Sequence, residues 1–405
     1  MRQDRVKRNN FNAMASRRKD GRRPAQKTPS RAPKAPRATQ APRRGAPRPA
    51  PAPPPPSLIP PRVKPPPMPT KTLVAEPGRW LWTCRAGFEP HLYEELAWAG
   101  ASPRLLGGAL VESVSRPAGP PVFARTGIRV VLSLEGSGGE AHAEAVAAAL
   151  LKAVPKAPLM LQSFTPDTPA GNKLADQADA LLATVRARLP AGRLLEETWR
   201  APEVGAELIE LCVAPGATLV GTVPAREALS LAPGGRQRMR RPGDAPSRAA
   251  MKLEEALAHL PFEPGRGEVC VDLGSAPGGW TQRLVARGAR VVSVDPAKLM
   301  PELANHPRVE HIQESAFAYE PEEPADWLFC DMAWRPLEVA QLLAKWGRRG
   351  WATYLVANIK LPMKDKNPTL VRVRRILEQG GWEGLTLRQL YHDRDEVTVT
   401  AHREV

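Results

Sequence analysis

Asp272-Leu273-Gly274-Ser275-Ala276-Pro277-Gly278-Gly279-Trp280 follows the apolar run Val269-Cys270-Val271 and leads into a helix-like stretch. A strand that ends in an acid and a glycine turn that opens a helix is how a doubly wound sheet receives a nucleotide-like ligand. Small residues let the backbone approach such a ligand, and Pro277 stiffens the turn just ahead of the Gly278-Gly279 pair. The pattern is Asp-x-Gly-x-x-Pro-Gly-Gly, not the Gly-x-Gly-x-x-Gly of dinucleotide-binding turns. With those glycines replaced, the turn favours S-adenosylmethionine, which has no pyrophosphate to cradle. A tight strand-to-helix turn that binds nothing has the same residues, so the rest of the chain decides between them.

Outward from the turn, strand and helix patterns alternate over the last 140 or so residues. The expected strands are Val269–Leu273, Arg290–Asp295, Val309–Gln313, Trp327–Asp331, Ala352–Lys360, Leu385–Leu390 and Val397–Ala401, with helices near Gly279–Ala286, Pro336–Trp346 and Pro368–Gln379. Helical crossovers imply a parallel sheet, whereas the short join Tyr391-His392-Asp393-Arg394-Asp395 predicts a closing antiparallel hairpin. A mostly parallel seven-stranded α/β sheet ending in such a hairpin is characteristic of the Rossmann-like class I methyltransferases, and not of dehydrogenases.

The charge of the chain is uneven. Residues 1–70 hold 18 of the 58 Lys and Arg but only 2 of the 42 Asp and Glu, so residues 71–405 carry 40 of each and are neutral. The same 70 residues contain 18 of the 46 prolines and little apolar material, too little to offset the entropy of ordering them. They read as a disordered basic tail, polyproline-like around Pro53-Pro54-Pro55-Pro56. Such a tail can bind RNA through counterion release, or serve only as a solubilising extension. From residue 71 to 235 mixed strands and helices suggest an α+β region: strands at Trp80–Cys84, Ala109–Val114 and Ile128–Leu134, helices over Phe88–Ala99 and Ala141–Val154. A further unit from Leu159 carries a helix near Lys173–Arg188 and a hairpin about Pro215-Gly216. The basic run Arg236–Arg241 then opens the catalytic region, 236–405, as a phosphate-tracking cluster or a solvated linker. Cys84, Cys212, Cys270 and Cys330 show no zinc spacing, and no metal is called for. No apolar run reaches about 18 residues, so no membrane span is expected and the cytoplasm is the expected compartment.

Polar groups fall at the carboxyl ends of the predicted strands, where ligands of open α/β sheets bind. Asp295 ends Val291-Val292-Ser293-Val294-Asp295 and can accept hydrogen bonds from the ribose hydroxyls of an adenosine, or act as a loop cap. Asp331 ends Leu328-Phe329-Cys330-Asp331. Lys360 ends Leu355–Lys360, and a lysine closing a buried strand needs a partner to offset its desolvation. Lys252 lies on a helix that starts near Ser247 and leads toward the first strand.

Ser247-Arg248-x-x-x-Lys252-Leu253, the Pro-Gly-Gly turn, Cys330-Asp331-Met332, Asn358-Ile359-Lys360-Leu361-Pro362 and Glu396-Val397-Thr398-Val399 resemble the FtsJ-type ribose 2'-O-methyltransferases. Within them, Leu361-Pro362-Met363-Lys364 and Arg388-Gln389-Leu390-Tyr391-His392-Asp393-Arg394-Asp395-Glu396 are most similar to the RlmM type, which methylates a cytidine of 23S rRNA. The resemblance is strong from Pro246 onward. It is weaker over 85–230, where Arg85-Ala86-Gly87-Phe88-Glu89 and Ala214-Pro215-Gly216 are similar to a THUMP-related RNA-binding module, and it does not reach the tail. It implies a catalytic tetrad of Lys252, Asp331, Lys360 and Glu396, and cofactor contacts from Ser247, Ala276, Pro277, Gly278, Gly279, Asp295, Ser315 and Asp331. It also implies 23S rRNA or its precursor as partner and a monomeric enzyme. The family usually has Asp where this chain has Ser315, which faces the cofactor's adenine with a weaker acceptor.

Methyl transfer from a sulfonium needs an oxygen nucleophile that loses its proton, and Lys360 is the candidate general base. An unperturbed lysine, pKa ~10.4, is free amine in roughly one molecule in a few thousand at neutral pH, whereas a pKa of about 8 raises that to about a tenth. Burial and Lys252 would push that way and Asp331 the other. Asp331 is then expected to orient the amine and touch the cofactor, Lys252 to position the ribose or phosphate, and Glu396 to fix Lys252. Two alternatives follow from the same residues: an RNA-binding ribosome-assembly factor with a weak or retired site, and a dinucleotide-dependent enzyme.

Overall fold

The computed structural model describes residues 59–196, Pro202, 205–239 and 249–404. Most of the basic tail, Arg240, Arg241 and the expected contact Ser247 lie outside the described residues.

The first half contains β1 (Trp80–Thr83), α1 (Glu89–Trp98), β2 (Pro103–Gly107), β3 (Leu110–Ser113), β4 (Thr126–Glu135), α2 (Glu140–Ala153), β5 (Leu159–Phe164), α3 (Pro169–Asn172), α4 (Ala175–Arg188), β6 (Glu207–Ala214) and β7 (Ala217–Pro224). Its strands form one sheet in the order β2-β3-β1-β4-β7-β6-β5, antiparallel at every pairing except β5 with β6. The pattern alone suggests two successive units here. They merge because ten-residue β4 pairs through Thr126–Arg129 with β1 and through Arg129–Glu135 with β7. Pro215 and Gly216 make the two-residue β6–β7 turn, with Gly216 at φ +86° where only glycine is unstrained. On α2, Ala143, Val146, Ala147 and Leu150 recur at helical spacing and pack with Leu181 and Val185 of α4 over β5, β6 and β7.

The second half contains α5 (Ala249–Ala258), β8 (Val269–Leu273), α6 (Gly279–Ala286), β9 (Arg290–Val294), α7 (Pro301–Ala304), β10 (Val309–Ile312), β11 (Ala325–Cys330), α8 (Pro336–Arg349), β12 (Ala352–Lys360), α9 (Lys366–Glu378), β13 (Glu383–Arg388) and β14 (Glu396–His402). The sheet order is β10-β9-β8-β11-β12-β14-β13, parallel except that β14 runs antiparallel to both neighbours. The seven expected strands and the closing hairpin are all present. The strand order reverses between β8 and β11, which places the glycine turn after β8 at the topological switch point. Both faces are covered, and β8, β11 and β12 are correspondingly apolar: Val271, Leu273, Leu328, Cys330, Leu355 and Ala357 belong to one core, Cys270, Trp327, Phe329 and Val356 to another.

The last residues of the tail read as disordered are held against α1. Trp98 Nε1 donates to the Pro61 carbonyl at 2.9 Å, Val63 N–H donates to Glu94 Oε1 at 3.2 Å, and Arg62 pairs with Glu94 and with Asp365. Glu94 is buried, so its carboxylate needs these donors, and that need orders a stretch whose composition would not.

Candidate active site

The glycine turn is built for close approach. Gly274 has φ +77°, and a Cβ there would stand 2.7 Å from Met332 Cγ. Gly278, at φ +117°, caps α6, and a Cβ there would collide with Leu303 Cδ1. Asp272 points inward rather than at a ligand: its Oδ2 accepts from Thr281 Oγ1 at 2.8 Å, fastening α6 to β8, and burial pushes its pKa up to about 7. Asp295 follows β9 and holds the turn from the side, with Oδ2 accepting the Ala276 N–H at 3.1 Å and Oδ1 the Ala297 N–H at 2.8 Å. The loop-cap contacts leave room for further donors, since a carboxylate offers about four acceptor positions and two remain. Ser315 is exposed, and its Oγ accepts the Phe317 N–H at 3.3 Å. The Ser275 hydroxyl is buried with no hydrogen-bond partner among the described residues. A side-chain-free turn, a polar atom awaiting a partner and a carboxylate with spare acceptors fit a nucleoside cofactor such as S-adenosylmethionine.

Lys252, Asp331, Lys360 and Glu396 come together from α5, the end of β11, the end of β12 and the start of β14. The β12–β14 register sets Lys360 directly opposite Glu396. Lys252 Nζ lies 2.7 Å from Glu396 Oε1 and 3.2 and 3.3 Å from the two Asp331 oxygens. Lys360 Nζ bonds Glu396 Oε2 and stands 3.9 Å from Asp331 Oδ1. Two lysine amines thus alternate with two carboxylates. The oxygen that holds the Lys360 amine belongs to Glu396, so the orienting contact expected of Asp331 is made mainly by Glu396, which also fixes Lys252. Burial works to lower the Lys252 pKa, but Asp331 and Glu396 outweigh it and hold the amine above its ordinary range. Burial raises Asp331 despite both lysines, whereas for Glu396 the two lysines outweigh burial and lower it. Lys360 is the most exposed of the four, 35% against 13%, 13% and 5%, so the deep burial expected of it is absent.

The Asp331 backbone borders the turn, its N–H donating to the Leu273 carbonyl at 3.3 Å while the adjoining Met332 packs on Gly274, and its carboxylate reaches Lys252. Lys252, Lys360 and Glu396 line a cleft of about 970 Å³, whose lining also includes Arg85, Ala86 and Asp167 from the first half.

Sequence reasoning missed the residues that hold this frame. Glu255 is buried on α5 and accepts the N–H groups of Tyr391 at 2.7 Å and His392 at 2.8 Å, so the helix that carries Lys252 also grips the loop that leads to Glu396. Burial pushes its pKa up to about 7 against those two bonds. Asp393 accepts from Leu390 N–H at 2.9 Å and Thr398 Oγ1 at 3.0 Å, closing the same loop. The three-residue spacing from Lys252, one helix face, was a usable signal for Glu255. Arg236, read as a phosphate-tracking or solvated residue, is neither: it is buried, donating to the Thr165 carbonyl at 3.0 Å and to Asn172 Oδ1 at 3.2 Å. Its neighbours Arg240 and Arg241 lie outside the described residues.

Residues 245–345 match the family model of FtsJ-like methyltransferases. The ribosomal RNA large subunit methyltransferase M of Halorhodospira halophila is 37% identical over 341 residues, covering 80% of this chain and 96% of that protein. The chain belongs to the ribosomal RNA large subunit methyltransferase M family. The methyltransferase M of Xylella fastidiosa strain M12 is 38% identical over 276 residues, 64% of this chain and 75% of that one. Among solved structures the chain is similar to Aeropyrum pernix fibrillarin with bound S-adenosyl-L-methionine, at 22% identity, a TM-score of 0.30, and coverage of 37% of this chain and 74% of that one. As a methyltransferase M family member with an FtsJ-like domain, the chain is an S-adenosylmethionine-dependent methyltransferase. No helix among the described residues is long and apolar enough to cross a membrane.

Proposed function

We propose that this protein is a cytoplasmic enzyme that methylates the ribose 2'-hydroxyl of a cytidine in 23S rRNA, with Lys360 as general base. The observation that carries the reading is the placement of the quartet: the Asp331 backbone borders the glycine turn, and Lys360, the least buried member, lines the cleft. The cofactor, held by the 274–279 turn, Asp295 and Asp331, supplies an electrophilic methyl group when bound. Glu396 aims the Lys360 amine into the cleft, where it accepts the 2'-hydroxyl proton as the oxygen takes the methyl. Lys252 cannot share that role, because Asp331 and Glu396 hold it protonated; it remains a fixed positive charge for the ribose or an adjoining phosphate. No metal enters this scheme. Residues 71–235 act as the THUMP-related RNA-binding module and 236–405 as the methyltransferase domain, meeting at the cleft.

The test is methyl transfer by the purified protein from S-adenosylmethionine to unmodified 23S rRNA, mapped by resistance to alkaline cleavage. The reading predicts one protected position, a cytidine. Transfer to a base, or no transfer, contradicts it.

A further inference from the structure

Part of the cleft lining plays no part in moving the methyl group, yet it is elaborately held. Asp167 lies on the loop after β5, and Tyr391 on the loop between β13 and β14; both face the cavity that Lys360 faces. Asp167 Oδ2 accepts from Arg125 Nη1 at 2.6 Å. Its Oδ1 lies 3.6 Å from Arg236 Nη2, beyond hydrogen-bond reach, and has no hydrogen-bond donor among the described residues. The side chain keeps 23% of its surface exposed. Arg125 and Arg236 are themselves buried, and their guanidinium carbons stand 5.2 and 5.9 Å from the Tyr391 ring centroid. One aromatic ring is thus flanked by two arginines and by the His392 ring at 5.1 Å, and a carboxylate hydrogen-bonded through one oxygen and ion-paired through the other lines the same cleft. Burial works to raise the Asp167 pKa, but Arg125, Arg236 and Arg85 outweigh it and keep the group ionised.

An ionised carboxylate only accepts hydrogen bonds. It welcomes an amino group and repels a carbonyl oxygen, and a braced tyrosine offers a face to any planar base. Unstacked RNA bases are bound in this manner, by aromatic stacking and by hydrogen bonds to their Watson–Crick edge. We infer that Asp167 and Tyr391 receive the base of the nucleotide whose ribose reaches Lys360. Tyr391 stacks on the base and Asp167 Oδ1 accepts its exocyclic amino group, so the cleft takes cytosine and rejects uracil. This inference rests on the ribose-methylation reading and adds the residues that choose the base.

The test uses the full-length protein and 23S rRNA transcripts that differ only at the mapped position, carrying cytidine, uridine or pyrimidin-2-one riboside there. The last lacks the amino group and adds no bulk. Wild type is expected to prefer cytidine in kcat/KM by about ten- to a hundredfold over both others. Asp167→Asn, whose amide both donates and accepts, brings the cytidine-to-uridine ratio to within about threefold. Tyr391→Ala lowers all three transcripts together, and Tyr391→Phe restores them. Equal loss on cytidine and uridine in Asp167→Asn would make Asp167 only a clamp for two arginines and overturn the inference. Full activity of wild type on the pyrimidin-2-one transcript overturns it without any variant. Wild type inactive on every transcript sinks the ribose-methylation reading itself, whereas wild type equally active on all three sinks the base-selection inference alone.

Discussion

The two seven-stranded sheets place their charged residues differently. In the second, parallel strands deliver their carboxyl ends to one edge, so Asp295, Asp331 and Lys360 collect there, and antiparallel β14 brings its first residue, Glu396, to the same edge. In the mainly antiparallel first sheet the strand ends alternate, and charged groups are satisfied inside. Glu210 accepts from Thr126 at 2.9 Å, Gln162 at 3.0 Å and the Gly234 N–H at 2.8 Å, and buried Glu112 is met by Arg104 at 2.7 Å and by the Glu76 N–H at 2.6 Å. Ionisable groups thus gather at one edge of the second sheet and are paired inside the first, and the loops carrying Arg85 and Asp167 line the same cleft as Lys360.

The contrast is easiest to break at the seam. Glu255 ties α5 to the loop before Glu396, and Tyr391 of that loop reaches Arg125 of the first half. Glu255→Ala leaves two N–H groups without their acceptor, at about 1–3 kcal/mol each. It is expected to lower kcat by about a hundredfold through misplacement of Glu396 and Lys252, with cofactor affinity kept. Single-turnover kinetics with calorimetry checks this; unchanged kcat would detach the loop from catalysis.

Opposite pH signs sharpen the contrast further. Burial raises Glu210 to about 7, so the folded state holds that proton more tightly than the unfolded chain does. Its contribution is complete below the ordinary value of 4.5 and is lost as pH rises through about 7. Relative to Glu210→Gln, wild type should lose about 3 kcal/mol between those limits. Glu396 is lowered instead, so its contribution is present above its ordinary range and is lost as pH falls through the folded value. Denaturant melts of both Gln variants against wild type, followed from pH 8 to well below the ordinary carboxylate value of 4.5, would show slopes of opposite sign, Glu210 between 4.5 and about 7 and Glu396 below 4.5. Slopes of one sign would erase the distinction between the sheets.

The smallest expected effect is at Ser315. Ser315→Asp supplies a stronger acceptor to the cofactor's adenine and should tighten cofactor binding by about threefold to tenfold, measured by calorimetry. A weaker-binding variant would remove Ser315 from the cofactor site.

The legible part of the sequence follows the same divide. Strand period and strand-end position fix where Asp331 and Lys360 emerge, whereas Glu396 and the grouping of the four follow only from the likeness to the FtsJ-type methyltransferases. The internal pairing of the quartet is not legible, since whether Glu396 or Asp331 grips Lys360 depends on tenths of an ångström in side-chain placement. The buried Arg125–Asp167–Arg236 unit left no trace because its members come from three loops far apart in the chain, and an arginine in a basic run looks solvated until its partners are known. Asp272 opens the motif but is not among the expected contacts, and the helix it faces claims it.

The most direct test of the central claim compares Lys360→Ala and wild type in single-turnover methyl transfer to 23S rRNA, with cofactor affinity measured alongside. Loss of at least about a thousandfold in rate with cofactor affinity within about threefold is the predicted result, since general-base removal leaves the glycine turn and Asp295 intact. A variant that keeps its rate within about tenfold of wild type would contradict the assignment of the base to Lys360.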